Sequence, residues 1–392
     1  MNFIENINIE NKKVFIRVDF NVPMKDGKIT DDTRIKAAMP TINYALSQNA
    51  VIILASHLGR PSSREDSQFS LTPVASHLSS LLQKEVKMAD DCIGENVENL
   101  ISKSLPGAII ILENLRFYPE EKKDDENFAS KLADLCDVYV NNAFAVCHRK
   151  HASVSAIVKY AKEAVMGHLL KTELENYDKA INKPERPLAA IIGGAKVSSK
   201  LGALKNMLKT VDKVIIGGAM ANTFFKAKGI NIGKSLYEEN MIDSAKDILS
   251  QAKENNVEIF LPVDAIIAEK CDEEASPKEC ELENIPQDHM ILDIGKKTVT
   301  LFKQALEDTK TIVWNGPMGV FEIDAFSKGT MKIASIISSS KAFTIIGGGD
   351  TDAAVHKAGL AEKMDYISTG GGAFLTLMEG KPLPAVEMLM NQ

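Results

Sequence analysis

Cysteine is sparse in this 392-residue chain: Cys92, Cys136, Cys147, Cys271 and Cys280 are odd in number, and no two are spaced Cys-x-x-Cys. That argues against a disulfide framework or a zinc site and fits a reducing compartment. No apolar run approaches the roughly 18 residues of a membrane span. Met1-Asn2-Phe3-Ile4-Glu5 lacks the apolar core of a signal peptide, so a cytoplasmic protein is expected. Positive charge is not in excess. The net charge of −7 argues against a general nucleic-acid or membrane partner. There is no low-complexity segment, and no Gly-x-Gly-x-x-Gly follows a strand, which disfavours a dinucleotide-binding dehydrogenase. No coiled-coil stripe is visible, so a monomer is the default. The length allows two or three domains, and the 45% hydrophobic and 25% charged contents are those of a soluble globular enzyme.

What is present centres on Phe343 to Thr351, Phe-Thr-Ile-Ile-Gly-Gly-Gly-Asp-Thr. The apolar run reads as a buried strand. The glycines let the backbone turn sharply, and Asp350 or Thr351 is expected to cap a following helix. A strand, a glycine turn and a helix start together make a nest of N–H groups suited to phosphate. Beside a phosphate, the Asp350 carboxylate reads as a Mg²⁺ ligand. Ile-Ile-Gly-Gly occurs at Ile191–Gly194, Ile215–Gly218 and Ile345–Gly348. Three parallel strands of one sheet would bring these glycines to the edge where open α/β sheets bind ligands.

In the first half, strands are expected at Lys13 to Phe20, Ala50 to Ala55, Ala108 to Leu112 and Asp137 to Val140, alternating with helices, which implies a parallel sheet. Their ends present Asp19, Asn21, His57, Arg60, Arg116, His148, Arg149 and His151, with Arg34 at the start of a helix from about Thr33. Arginine pairs bidentately with phosphate or carboxylate, so this edge reads as a basic pocket for a small polyanion. The histidines lie among arginines, which suits an anion better than a metal cation. A charged helix from about His168 to Ile181 then meets Pro184 and Pro187, a domain boundary. Beyond it, strands are expected at Leu188–Ile192, Lys213–Ile216, Glu258–Leu261, Thr311–Trp314 and Ala342–Ile346, and their ends offer glycines in place of arginines. One domain would hold an anion by side chains and the other by backbone.

Lys196 and Lys200 follow the first glycine pair, four residues apart, and are expected on one face of a helix start, where they would neutralise phosphates. Gly229-Ile-Asn-Ile-Gly233-Lys234-Ser235 has three residues between its glycines where a Walker A loop needs four, and a helix precedes it where a strand is required. It is read as a decoy. Asn315 and Glu322, in the Trp314–Glu322 turn, are plausible nucleotide contacts, with Glu322 accepting from ribose hydroxyls.

Arg17–Pro23, Ser56–Pro61, Glu113–Phe117, His148-Arg149 with His151, Gly193–Val197, Trp314–Glu322, Gly347–Thr351 and Ser368–Ala373 occur in an order that resembles the phosphoglycerate kinase family over almost the whole chain. The resemblance implies an α/β protein of two doubly wound, Rossmann-like parallel-sheet domains joined by a hinge helix. They would be a 3-phosphoglycerate-binding domain over 1–167, a hinge helix and linker over 168–185, a nucleotide-binding domain over 186–375, and a segment 376–392 returning to the first domain. It implies reversible, Mg²⁺-dependent phosphoryl transfer between 1,3-bisphosphoglycerate and ADP, giving 3-phosphoglycerate and ATP. The substrate site would be Asp19, Asn21, Arg34, His57, Arg60, Arg116 and Arg149. The nucleotide site would be Gly193, Gly194, Lys196, Lys200, Gly217, Asn315, Glu322, Gly347, Gly348, Gly349, Asp350 and Thr351, with Asp350 on Mg²⁺. Gly371 and Gly372 would meet the transferring group, and Arg34 and Lys200 would bracket it. The alternative is a silent anion- or nucleotide-binding scaffold of the same fold. Two departures stand out. Ala145-Val146-Cys147 replaces the family's usual Gly-Thr-Ala ahead of His148-Arg149, in the loop that aims Arg149. Lys296 replaces a common proline, which is expected to be tolerated.

Overall fold

The protein is described from a computed structural model covering residues 2–392. It divides into two compact units, Met1–Leu174 with Pro382–Gln392, and Glu175–Lys381. The division falls inside the helix His168–Tyr177, which continues as a π-helical turn over Asp178–Asn182 and not as α-helix to Ile181. Residues 376–381 stay with the second unit, and the helix Gly371–Met378 carries the chain into them.

The first unit is built on six parallel strands in the spatial order Val86–Met88, Ile109–Ile111, Val51–Ala55, Lys13–Val18, Val138–Asn142, Ala164–Met166. The runs Val51–Leu54 and Ile109–Ile111 are unbroken apolar sequence because helices cover both faces of a parallel sheet. The strand order reverses beside Lys13–Val18, and Asp19 and Asn141–Ala143 lie at that reversal. The Asp26-Gly27 turn closes a short hairpin, Met24–Lys25 with Lys28–Ile29, with both turn residues at positive φ.

The second unit carries the order Glu258–Phe260, Lys213–Ile216, Leu188–Ile192, Thr311–Asn315, Phe343–Gly347, Tyr366–Ile367, all parallel. In chain order this is 3-2-1-4-5-6, the doubly wound arrangement whose reversal lies between its first and fourth strands. Ile191 is paired with Ile215 on one side and Trp314 on the other, and Trp314 with Ile346. The three Ile-Ile-Gly-Gly segments therefore end level to within one residue. A further antiparallel sheet joins Asp264–Ala268 to Lys278–Glu281 and Met290–Ile294. It is not among the expected strands: its strands are only four or five residues long, and Lys278–Glu281 is mostly exposed.

Candidate active site

In the first unit, the strand Lys13–Val18 delivers a wholly buried Arg17 to the sheet edge. Its Nε donates to Ser153 Oγ (2.8 Å), Nη1 to the Val18 carbonyl and Nη2 to His57 Nδ1 (3.2 Å). Ser153 in turn donates its hydroxyl (2.7 Å) and backbone N–H (2.9 Å) to the buried Glu121. A buried guanidinium costs several kcal/mol unless compensated, and Glu121 supplies the counter-charge through Ser153. Burial raises the Glu121 carboxyl, and Arg17 opposes that rise. Sequence reasoning left Arg17, Ser153 and Glu121 out of the site. The signal for Arg17 was a cation in an otherwise apolar strand; Glu121 gave none, sitting in a run of surface-like charges.

Arginine only donates, so His57 Nδ1 accepts and the ring proton sits on Nε2. Burial, and then the charges of Arg17, Arg116 and Arg149, push His57 far below the usual histidine range. The same causes bring His151 down to about 3. Both rings are neutral at pH 7. Burial, Arg149 and Arg17 bring Arg116 down to about 10, the mark of a cluster with surplus positive charge. Arg116 Nη1 donates to the Gly59 carbonyl (2.7 Å), while its Nε is buried without a partner. Arg34 Nη1 donates to Asp19 Oδ2 (2.9 Å) and the Asn21 carbonyl (3.1 Å), and Asn21 Oδ1 accepts from Gly59 N–H (2.8 Å). Asp19, Asn21, Arg34, His57 and Arg116 are thus brought together. Arg60 and Arg149 are exposed at the same edge, Arg149 donating to His148 Nε2 (3.1 Å). The Ala145-Val146-Cys147 departure forms a 3₁₀ turn, Phe144–Val146, with Cys147 buried and Arg149 N–H bonded to the Val146 carbonyl. Lys296 opens the helix Lys296–Leu306 as an exposed residue paired with Glu279, and Asp264 accepts from Lys297 and Thr298 N–H to cap that helix.

In the second unit, Lys200 is turned in toward the strand reversal. Its Nζ donates to the carbonyls of Gly193 (2.7 Å) and Asn315 (2.9 Å), at the ends of the two central strands. Burial lowers its pKa to about 8, with the nearby Asp350 opposing. The expected shared helix face with Lys196 does not form. Residues 193–200 run as turns and the helix starts only at Leu201, so Lys196 stays exposed near Glu238. The physical reason is the glycine pair: Gly194 sits at φ +101°, which breaks helical continuity. The expected cap is also corrected. Gly348, at φ +94°, is the N-cap of Gly349–Lys357, which places Asp350 and Thr351 in its first turn. Thr351 Oγ1 accepts from Gly316 N–H (2.6 Å) and donates to the Gly347 carbonyl, while Asn315 Nδ2 also donates to Gly347 (3.0 Å). The helix Gly371–Met378 begins beside Gly348: a Cβ on Gly371 would lie 3.0 Å from Gly348 Cα. Two helix N-termini therefore point their unpaired N–H groups and positive dipole ends at neighbouring places.

Gly194, Phe225, Pro317, Val320, Glu322 and Asp350 line a cavity of about 250 Å³. Gly217 closes the second strand end behind it, donating its N–H to the Ile192 carbonyl. Asp293, also in the cavity wall, accepts from Gly329 (2.6 Å) and Ile294 (2.9 Å) N–H, and burial raises it to about 7. Folded Asp293 therefore keeps a proton that the unfolded chain releases near the ordinary aspartate value. Its contribution to stability is fully present below about pH 4 and is lost as pH rises toward 7. Replacing Asp293 with asparagine is expected to remove about 2 kcal/mol of the stability lost between pH 5 and 7. Denaturant melts of both proteins across that range test this, and parallel pH slopes would refute it.

The chain is similar to known proteins over almost its whole length. The family model described as phosphoglycerate kinase matches residues 4–381. A phosphoglycerate kinase of Geotalea uraniireducens is 55% identical over 97% of this chain and 96% of its own length. One from Desulfosudis oleivorans is 54% identical over 99% and 98%. The solved phosphoglycerate kinase structure from Coxiella burnetii superposes with a TM-score of 0.91 at 43% identity, covering 99% of this chain and 98% of the other. With two doubly wound sheets, each presenting its polar chemistry at its carboxyl edge, and these relatives across its full length, the chain belongs to the phosphoglycerate kinase family.

Proposed function

We propose that the chain catalyses reversible phosphoryl transfer between the acyl phosphate of 1,3-bisphosphoglycerate and MgADP, yielding 3-phosphoglycerate and MgATP. The observation that carries this reading is the division of chemistry between two sheet edges: guanidinium and imidazole side chains on one, glycine N–H groups with a buried lysine on the other. Arg60, Arg116 and Arg149 would hold the phosphate and carboxylate of the three-carbon acid, with His57 donating through Nε2–H as a neutral ring. Asp19 and Asn21 hold Arg34 in place. Gly193, Gly194, Gly217 and Gly347–Gly349 would line the nucleotide phosphates, with Asn315 and Thr351 fixing that turn. Glu322, exposed in the cavity wall, would accept from ribose hydroxyls. Asp350 is exposed and has no hydrogen bond or ion pair among the described residues, a free oxygen donor of the kind Mg²⁺ takes. Mg²⁺ held there would neutralise phosphate charge.

Carboxylate and phosphate are both anionic at pH 7, so attack in either direction needs no general base. This fits a substrate pocket whose His57 and His151 rings are uncharged at neutral pH and too weakly basic to take up a proton. Arg34 from one unit and Lys200 from the other would offset the charge on the transferring group, helped by Lys196 and the N–H groups of Gly371 and Gly372. The reacting oxygens must come within about 3–3.5 Å, so the two units must be brought face to face for each turnover, which also excludes water from the acyl phosphate. The proposed enzyme is a cytoplasmic monomer acting on small molecules; its net charge of −7 disfavours a nucleic-acid or membrane partner, and no described helix is long and apolar enough to cross a membrane.

Turnover of MgATP with 3-phosphoglycerate tests this, with the acyl phosphate removed by a coupled reduction and NADH loss followed optically. Turnover dependent on both substrates and on Mg²⁺ is expected. Folded protein that turns over neither and binds neither would overturn the assignment of both edges.

A further inference from the structure

The antiparallel sheet of the second unit carries a side-chain cluster that phosphoryl transfer does not use. Ala268 pairs with Met290, so Glu269 and His289, the next residues outward on each strand, face each other across the end of the ladder. His289 is only 6% exposed. Its Nδ1 lies 2.8 Å from Asp288 Oδ1, and its Nε2 lies 3.9 Å from Glu269 Oε1. Ligand atoms of Glu269, Asp288 and His289 all fall within 4.8 Å of one another. If Nδ1–H donates to Asp288, Nε2 presents a lone pair to the Glu269 carboxylate. Two electron-pair donors facing each other at 3.9 Å leave room for a cation between them. The gap opens on a cavity of about 250 Å³ to which Asp272 and Glu274 contribute further carboxylates and Lys270 and Lys278 opposing charge.

The histidine is held from behind. Lys234 N–H donates to the His289 carbonyl (2.8 Å), His289 N–H to the Pro286 carbonyl (3.2 Å), and Ser235 Oγ accepts from Ile291 N–H (2.8 Å). Gly233 sits at φ +55°, packed so closely that a Cβ would come within 2.3 Å of the His289 carbonyl oxygen. The segment resembling a Walker A loop is therefore a buttress for this histidine. A carboxylate on one imidazole nitrogen with the other nitrogen aimed at a cavity is the arrangement that orients metal-binding histidines.

We propose that His289 Nε2 and Glu269 bind a divalent transition-metal ion, with Asp288 as the positioning residue that fixes the imidazole. An imidazole with carboxylates suits Zn²⁺, Co²⁺ or Ni²⁺ over Mg²⁺. Bonds of 2.0–2.2 Å in tetrahedral geometry put two such ligands about 3.4 Å apart, reached from 3.9 Å by rotation of the exposed Glu269 side chain. No cysteine takes part, so cysteine spacing carried no trace of this site. The same strands run back into the nucleotide cavity, where Ala265 and Asp293 line its wall. The ion would brace that wall from its outer end.

The test is Co²⁺ binding to the full chain without nucleotide, by equilibrium dialysis and by the visible absorption of bound Co²⁺, with thermal melts alongside. One Co²⁺ per chain and a raised melting temperature are expected. Glu269→Gln and His289→Gln should each weaken binding at least tenfold. Asp288→Asn should weaken it by about 10–100-fold, as loss of an outer partner does. Asp350→Asn should leave it unchanged, which separates this site from the nucleotide's Mg²⁺. Glu269 is 64% exposed on its side chain, so Glu269→Gln remains informative even if His289→Gln fails to fold. No binding to the wild-type chain, or binding indifferent to Glu269→Gln, would overturn the proposal.

Discussion

Replacing Arg34 with alanine is expected to lower kcat by about 10³–10⁵-fold, the range for an arginine that stabilises a transferring phosphoryl group. Arg34 is 39% exposed and, among the described residues, engages Asp19 and the Asn21 carbonyl, both through Nη1. Its partner Asp19 is buried, so the variant leaves a buried carboxylate without its counter-charge, and a thermal melt alongside the kinetics separates lost activity from lost stability. The nucleotide half-site belongs to the other unit, and the KM for MgATP is expected to hold. Arg34→Lys keeps the charge but loses the planar fork and should recover little of the rate. An unchanged kcat in Arg34→Ala would refute the role.

Lys200→Met should lower kcat by about 10²–10³-fold, the effect of removing one preorganised donor from a developing charge. The pH dependence adds a signature that a purely structural lysine would lack. Burial brings Lys200 down to about 8 in the free protein, and only the ammonium form can neutralise phosphate. Below about 8 the ammonium form dominates, and above it that form is lost. For the wild type, kcat/KM for MgATP should therefore fall as pH rises through about 8, since this ratio reports the free enzyme. In Lys200→Met that limb should vanish along with most of the rate. A wild-type profile flat to pH 9.5 would mean that Lys200 does not act as the phosphate-neutralising cation. Its two bonds to the Gly193 and Asn315 carbonyls would then be its whole purpose.

Arg34 was readable because a helix starting at Thr33 places the next residue beside the preceding strand's end, and both elements announce themselves by local pattern. Lys200 was readable as a residue, but its placement was not. A helix over 193–200 would have paired it with Lys196 on one exposed face. In the structure the glycine pair delays the helix to Leu201 and folds Lys200 back against two strand ends. The same kind of error moved the N-cap from Asp350 or Thr351 to Gly348. Side-chain capping preference is weaker than the freedom of a glycine at φ +94°.

By itself the sequence determined the parallel strands, the edge on which they end, the split between arginine and glycine chemistry, and the family. These rest on apolar runs, on glycines with few other conformational uses, and on ordered motifs, all properties of neighbouring residues. Only the tertiary structure decided which polar groups are buried and what pairs with them. Arg17 meets Ser153 across 136 residues of chain, and Ser153 meets Glu121 across 32. Glu269 meets His289 because a ladder register sets Ala268 against Met290. Such pairings cannot be read from local pattern. The energetic demand of a buried charge for a partner is satisfied by whichever residue the topology brings within about 3 Å, and that residue carries no mark of it in the chain.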